Sequence, residues 1–274
     1  MALNETKNKI EKKDDVEYIM DVRCLKKTFL VGNQEIDILK GIDLKIVPGD
    51  FVIIFGPSGC GKSTLLYSLL GLEEPTSGSV RILGEDIYAG RSEDDRTEFR
   101  KKHIGMVYQQ SNWVNSLTVV ENVALPLILS GKSKAESIKT ARDMLAVSHM
   151  VGWANYKPAE LSSGQQQKVA VARALITNPE IIIADEPTGN LDFDSGQNFI
   201  YLLADLNHVG KTVVMVTHDL EYLKQAKTAV RMLDGNVVEI YDGKNEGAIK
   251  EGDFKCKKKV ENIEETYAKR KQKI

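Results

Sequence analysis

Short runs rich in Val and Ile, set between stretches of helical spacing, lay out the plan of this chain. Phe51–Phe55, Thr212–Thr217 and the runs at 104–108 and 181–184 are apolar on both faces and short enough for strands. Such runs predict parallel strands covered by helices on either side. Two longer stretches, 18–30 and 36–47, predict two strands of a β-rich edge layer. Asp234-Gly235 stands between apolar runs at 230–233 and 237–240, the signal of a hairpin turn. Residues 117–156 keep a helical pattern without strand signals, which predicts a helical subdomain inserted into the core, about 110–160 in outline. The expected fold class is α/β: a mostly parallel sheet, an antiparallel β edge layer and an inserted helical subdomain.

The candidate chemistry begins where the run Phe51–Phe55 ends. Gly56-Pro57-Ser58-Gly59-Cys60-Gly61-Lys62-Ser63-Thr64 fits G-x-x-x-x-G-K-[ST], and helix-spaced Leu65-Leu66-Tyr67-Ser68-Leu69-Leu70 follows. Strand, glycine loop and helix in that order form the context of a phosphate site, the core of a P-loop NTPase. The glycines let backbone N–H groups turn onto phosphates, the helix N-terminus adds its positive end, and Lys62 supplies a point charge. Ser63 would place its hydroxyl on Mg²⁺. The loop therefore predicts a bound nucleoside triphosphate.

A second strand, Ile181-Ile182-Ile183-Ala184, runs into Asp185-Glu186. Asp185 would hold the metal, directly or through water, and Glu186 would orient and polarise the attacking water. Phosphoryl transfer asks mainly for positioning and charge neutralisation, which these groups supply. A helix N-cap is the plainer use of such an acidic pair.

Composition adds bounds. The chain of 274 residues has ample apolar content for a core, and its formal net charge of -2 argues against a general nucleic-acid binder. Cys24, Cys60 and Cys256 lie far apart without metal-type spacing, so all three are expected as reduced thiols. Cys60, inside the phosphate loop, is either an oxidation-sensitive position or a small residue in a tolerant slot. No apolar run reaches the roughly 18 residues needed to cross a bilayer, so any membrane role is expected to go through a partner. Residues 1–17 form a charge-dense leader expected to be flexible, and 18–242 the catalytic domain. The tail at 243–274 carries ten Lys and Arg against six Asp and Glu, suited either to anionic lipid or to a solvated, partly helical state.

Leu161-Ser162-Ser163-Gly164-Gln165-Gln166-Gln167 resembles the LSGGQ signature of ATP-binding cassette (ABC) proteins, upstream of the acidic strand and opening a helix at 168–177. The resemblance covers about residues 18–240. It implies that Ser162, Ser163, Gly164 and Gln165 contact a γ-phosphate from that helix N-terminus. It also implies that Gln109, closing the run at 104–108, senses Mg²⁺ and meets a membrane subunit. Asp192, in Asn190-Leu191-Asp192, would lie in the loop that crosses a dimer interface, and His218 would be the switch histidine on the γ-phosphate. Phe29 would stack on adenine, with a plain core position as the alternative. The chain departs from the family at Ser163, where a glycine is usual; the added Cβ and hydroxyl would stand near the partner's nucleotide.

In this family the signature of one subunit caps the phosphate loop of another, so the resemblance implies a homodimer around two ATP with Mg²⁺. Val31-Gly32-Asn33-Gln34-Glu35, Val107-Tyr108-Gln109-Gln110 and Glu186-Pro187-Thr188-Gly189-Asn190-Leu191-Asp192 look like the branch of macrolide exporters, lipoprotein-release machines and the cell-division ATPase. That branch implies an ATPase subunit driving a separate membrane permease of four helices with a large extracytoplasmic domain, for export or membrane extraction. It places the chain on the cytoplasmic face of the plasma membrane, with no nucleic-acid partner. Trp113 and Val114 would lie where a coupling helix docks, or else form a buried turn. A soluble or scaffold ATPase without transport is the alternative.

Overall fold

The computed structural model describes residues 18–110 and 112–242. The expected leader at 1–17, the tail at 243–274 and Cys256 lie outside the described residues. β1 (Met20–Val31) and β2 (Gln34–Ile46) pair antiparallel, and each alternates buried with exposed positions along part of its length. β3 (Phe51–Phe55) is buried throughout, and its period of two splits it between two cores. Val52 and Ile54 face one apolar cluster, while Phe51, Ile53 and Phe55 face another. After the glycine loop come α1 (Lys62–Leu69), β4 (Ser77–Ile82), β5 (Glu85–Asp86) and α2 (Glu93–His103). Then follow β6 (Ile104–Val107), α3 (Val119–Leu129), α4 (Lys134–Val147), α5 (Ser163–Leu175) and β7 (Ile181–Asp185). The chain closes with α6 (Phe193–His208), β8 (Thr212–Thr217), β9 (Thr228–Leu233) and β10 (Asn236–Asp242).

Two sheets result. The edge layer is antiparallel in the order β2-β1-β4-β5, and the larger sheet runs β10-β9-β3-β8-β7-β6. In the larger sheet every pairing from β9 through to β6 is parallel; only β10 on β9 is antiparallel. The α/β class with a mostly parallel sheet and an antiparallel layer is therefore as expected. The first core, with Met20, Leu44, Ile54, Leu65 and Met232, fills the space between the two sheets and α1. The second lies under α5 and α6 on the other face, and a third joins α3, α4 and α5.

The helix starts follow local chemistry. Ser92, Thr118 and Ser162 each form a capping box with the acid or amide three residues on, and Asp192 caps α6. The helix expected at 168–177 accordingly begins at Ser163, five residues earlier, because Ser162 and Gln165 cap each other. Three elements were not anticipated: β4 and β5, short strands that extend the edge layer beyond β1, and α2, in which only Phe99 and His103 are buried. The thiols differ from expectation at one position. Cys24 is disulfide-bonded, whereas Cys60 is a free buried thiol. Among the described residues no helix is long and apolar enough to cross a membrane.

Candidate functional site

The C-terminal ends of β3 and β7 emerge on the same edge of the sheet with only β8 between them, and open parallel sheets place ligands at that edge. From β3 the chain turns through Gly56–Gly61, with Gly59 at φ 78° and Gly61 at φ 101°, into the N-terminus of α1. A Cβ on Gly56 would stand 2.2 Å from the Met232 carbonyl oxygen, so only glycine fits against the end of β9. Lys62 is 6% exposed and folds back to donate to the carbonyls of Gly56 at 2.9 Å and Pro57 at 3.1 Å. Its ammonium is thus held against the loop, with backbone oxygens standing in for an anion. The hairpin turn between β9 and β10 braces the loop from behind: the Gly235 amide donates to the Cys60 carbonyl at 3.0 Å, and the Lys40 amide to the Gly235 carbonyl at 2.9 Å. Burial pushes the Cys60 thiol up, with Lys62 opposing. A protonated, buried thiol is a poor nucleophile, which favours the small-residue reading of Cys60.

At the end of β7, burial raises the Asp185 carboxyl above its ordinary value, the Glu186 charge adds to this, and Lys62 opposes it. A carboxylate so placed is stabilised by any cation brought beside it. The Tyr67 hydroxyl, from the second turn of α1, donates to Asp185 Oδ2 at 3.4 Å. Glu186 takes φ 43°, a left-handed conformation unusual outside glycine, fixed by its amide on the Val216 carbonyl at 3.0 Å. Such a backbone costs on the order of 1–3 kcal/mol and concentrates at active sites. The bend aims the carboxylate at His218, whose Nδ1 lies 2.6 Å from Glu186 Oε2. Gln109 comes to the same end of β7. Its Nε2 lies 2.8 Å from where a Cβ on Gly189 would stand, so the glycine makes room for it.

The signature sits apart from this group. Ser162 Oγ accepts from the Gln165 amide at 3.3 Å, and Gln165 Oε1 accepts from the Ser162 amide at 2.9 Å, leaving Ser163 exposed in the first turn of α5. Gly164 packs against the start of α6, where its absent Cβ would lie 3.1 Å from Ser195. Ser195 in turn gives its amide at 2.9 Å and its hydroxyl at 2.8 Å to Asp192. These bonds hold the Asp192 carboxyl below its ordinary range. The residues expected near one γ-phosphate therefore form two groups on this chain. Lys62, Asp185, Glu186, His218 and Gln109 surround the ends of β3, β7 and β8, while Ser162–Gln165 and Asp192 share the α5–α6 junction.

Phe29 is half-exposed on β1 and belongs to none of the apolar clusters, which removes the plain core alternative. Lys27 Nζ lies 4.8 Å from the ring centroid, over one face. Trp113 is partly buried: it packs against the second and third clusters and donates from Nε1 to Gln166 Oε1 at 2.9 Å, while Val114 is 40% exposed. The sequence reading missed Tyr67 and Gly189 and took Gly235 only as a turn residue; all three act on the site through contacts distant in the chain. Ser63 with Asp185 offers hard oxygen donors of the kind Mg²⁺ takes, and Mg²⁺ usually completes its shell with water and phosphate.

Comparison with known proteins gives consistent matches. Residues 39–189 match the family described as ABC transporter. An ABC transporter ATP-binding protein of Methanocaldococcus jannaschii, MJ1508, is 44% identical over 222 residues, 81% of this chain and 99% of that one. The macrolide export ATP-binding/permease protein MacB of Bdellovibrio bacteriovorus is also 44% identical, over 79% of this chain but only 33% of its own length. The chain thus spans about a third of that two-function protein. Among solved structures, the dimeric post-hydrolysis state of the ATP-binding cassette MJ0796, bound to ADP and Pi, superposes with a TM-score of 0.75 at 41% identity. That match covers 81% of this chain and 98% of the cassette.

Proposed function

Because the chain belongs to the ABC transporter family and is an ABC ATPase, we propose that it works as the energy-converting subunit of a membrane machine for export or extraction. Two copies would close around two ATP; a solved cassette of the same family is dimeric. One observation carries the assignment of roles: the strained Glu186, just past β7, meets His218, just past β8, and β8 lies directly beside the strand that leads into the phosphate loop. In this reading the loop amides and Lys62 hold the β- and γ-phosphates. Glu186 orients and polarises the attacking water, and His218 contacts the γ-phosphate while keeping the Glu186 carboxylate in place. Phe29 offers adenine its uncovered ring face. Ser63 and Asp185, with Gln109 reaching in, would hold Mg²⁺, which when bound supplies positive charge to the phosphate oxygens.

Ser162, Gly164, Gln165 and Asp192 would act on the nucleotide of the second copy. The grouping at the α5–α6 junction, away from the chain's own phosphate loop, supports this division. Closure by ATP and reopening after hydrolysis is a population shift driven by contacts present only in the closed dimer. Ser163 replaces a glycine but leaves the Gly164 approach intact. Ser163→Gly is therefore expected to change steady-state ATPase by less than about tenfold, a barrier change below about 1.4 kcal/mol; a larger change in either direction contradicts this account.

The partner is an integral membrane permease, with the four-helix type carrying a large extracytoplasmic domain as the specific expectation and the cytoplasmic membrane face as the location. A cleft of about 1260 Å³ between α2, β6 and α3 supports it, with Phe99, Met106, Leu125, Leu127 and Tyr108, the neighbour of Gln109, among its lining. The test is to purify tagged Glu186→Gln chain from detergent-solubilised membranes with Mg-ATP. Recovery of a four-span protein with a large external domain supports the reading. A many-span permease moves it to a conventional transporter, and recovery of soluble partners alone rejects transport.

A further inference from the structure

We propose that Gln167 is a positioning residue for Gln109, holding the metal-sensing glutamine from the helix that carries the signature; this rests on the role given to Gln109 above. Gln167 lies on α5 and is 3% exposed. Its Nε2 donates to the carbonyls of Tyr108 at 3.2 Å and Gln109 at 3.0 Å. Those two carbonyls come just after β6 ends at Val107, whose partner on β7 is Ala184. The Gln167 amide therefore continues the hydrogen bonding of the sheet edge where the strand can no longer do so.

The other end of the same side chain makes the case sharper. Gln167 Oε1 is buried with no hydrogen-bond partner among the described residues. A buried unpaired carbonyl is unfavourable, and a methionine of equal length would fill the space without one. What the amide contributes at this position is its pair of N–H donors, and both go to the backbone that carries Gln109.

Two neighbours on α5 hold the same stretch. Gln166 accepts from Trp113, and Arg173 stands 4.4 Å over the Trp113 ring while donating to the Asn112 carbonyl at 3.5 Å. Beyond them, buried Asn122 bonds the amide and carbonyl of Val114 and the carbonyl of Leu117. Gln167 is the one of these that reaches Gln109 itself. The opposite side of Gln109 rests on Gly189, so the side chain that meets the end of β7 has its backbone set by α5. The geometry makes the position of Gln109 depend on the position of the signature helix.

The test compares Gln167→Met, Gln109→Ala and the double variant in the full chain. Binding of Mn²⁺, a spin-active substitute for Mg²⁺, is read by electron paramagnetic resonance with a non-hydrolysable ATP analogue present, and affinity for the analogue is read without metal. Gln167→Met is expected to weaken Mn²⁺ binding about tenfold, to raise the Mg²⁺ concentration for half-maximal ATPase by a similar factor, and to change metal-free analogue affinity by less than twofold. In the Gln109→Ala background Gln167→Met should add less than twofold, because the side chain it positions is gone. A full further loss there, or unchanged Mn²⁺ affinity in Gln167→Met while Gln109→Ala weakens it, overturns the proposal alone. Unchanged Mn²⁺ affinity in Gln109→Ala overturns both this proposal and the role of Gln109. Should Gln167→Met fail to fold, Gln167→Asn, which keeps the amide but shortens its reach by one methylene, must show the same metal-specific loss.

Discussion

Glu186→Gln is expected to lower ATP turnover by about 10²–10⁴-fold, the range associated with losing a positioned general base, and to leave the chain as a stable ATP-bound dimer. The amide keeps the shape and the backbone φ of 43°, so the site should still assemble. It cannot take a proton from water, and it removes one negative charge from beside Asp185 and the incoming γ-phosphate. Binding then proceeds without the hydrolysis that reopens the dimer. Size-exclusion chromatography with Mg-ATP and a steady-state assay read the two effects separately. A variant that stays monomeric at saturating Mg-ATP and turns over at the wild-type rate would remove Glu186 from the role given to it.

Gly56→Ala should produce the second large effect. A Cβ there would stand 2.2 Å from the Met232 carbonyl and 3.0 Å from Cys60 Sγ. The nearer atom belongs to the backbone of β9, which is paired on both sides, with β10 and with β3, and has little freedom to retreat. The loop must therefore shift on the order of an ångström, and displacements of that size cost about 10² in rate. Turnover is expected to fall by at least that factor, with thermal unfolding much less affected than activity. Gly59 provides the contrast. Nothing lies within 4 Å of a Cβ there, and only its φ of 78° opposes a side chain. Its left-handed backbone costs about 1–2 kcal/mol, so Gly59→Ala should lose roughly tenfold. Equal losses at the two positions would mean that packing against β9 is not what places the loop.

How much of this was legible in the sequence depended on how local each feature is. The phosphate loop and the acidic end of β7 follow from neighbours within a few positions and were read from them, whereas the Ser162–Gln165 cap, equally local, was passed over and the start of α5 placed five residues late. The buried strands were also legible, because a run such as Ile181-Ile182-Ile183-Ala184 has no polar face to present to water. α2 escaped notice because its sequence, Glu93-Asp94-Asp95-Arg96-Thr97-Glu98-Phe99, has no apolar stripe. It is set instead by the Ser92–Asp95 capping box and by acidic first-turn and basic last-turn residues. The side chains that set the site's geometry were the least legible. Tyr67 reaches Asp185 across 118 positions, and Gln167 reaches Gln109 across 58. Pairings of that kind depend on the order of strands in the sheet, which no local pattern encodes.

That strand order also governs when the site can exist during synthesis. β3 takes its two neighbours from β8 and β9, and the loop behind it leans on the turn at Gly235. A nascent chain that has passed residue 200 already contains every residue of the phosphate loop but neither of the strands that flank β3. Contacts of such long separation form late, because loop closure has to come before they stabilise anything. Until then the apolar face of β3 is open, the state in which partly made domains are prone to aggregate. Nucleotide cannot guide folding from the N-terminal side of this protein; its binding site is finished only when β9 and the turn behind it have left the ribosome.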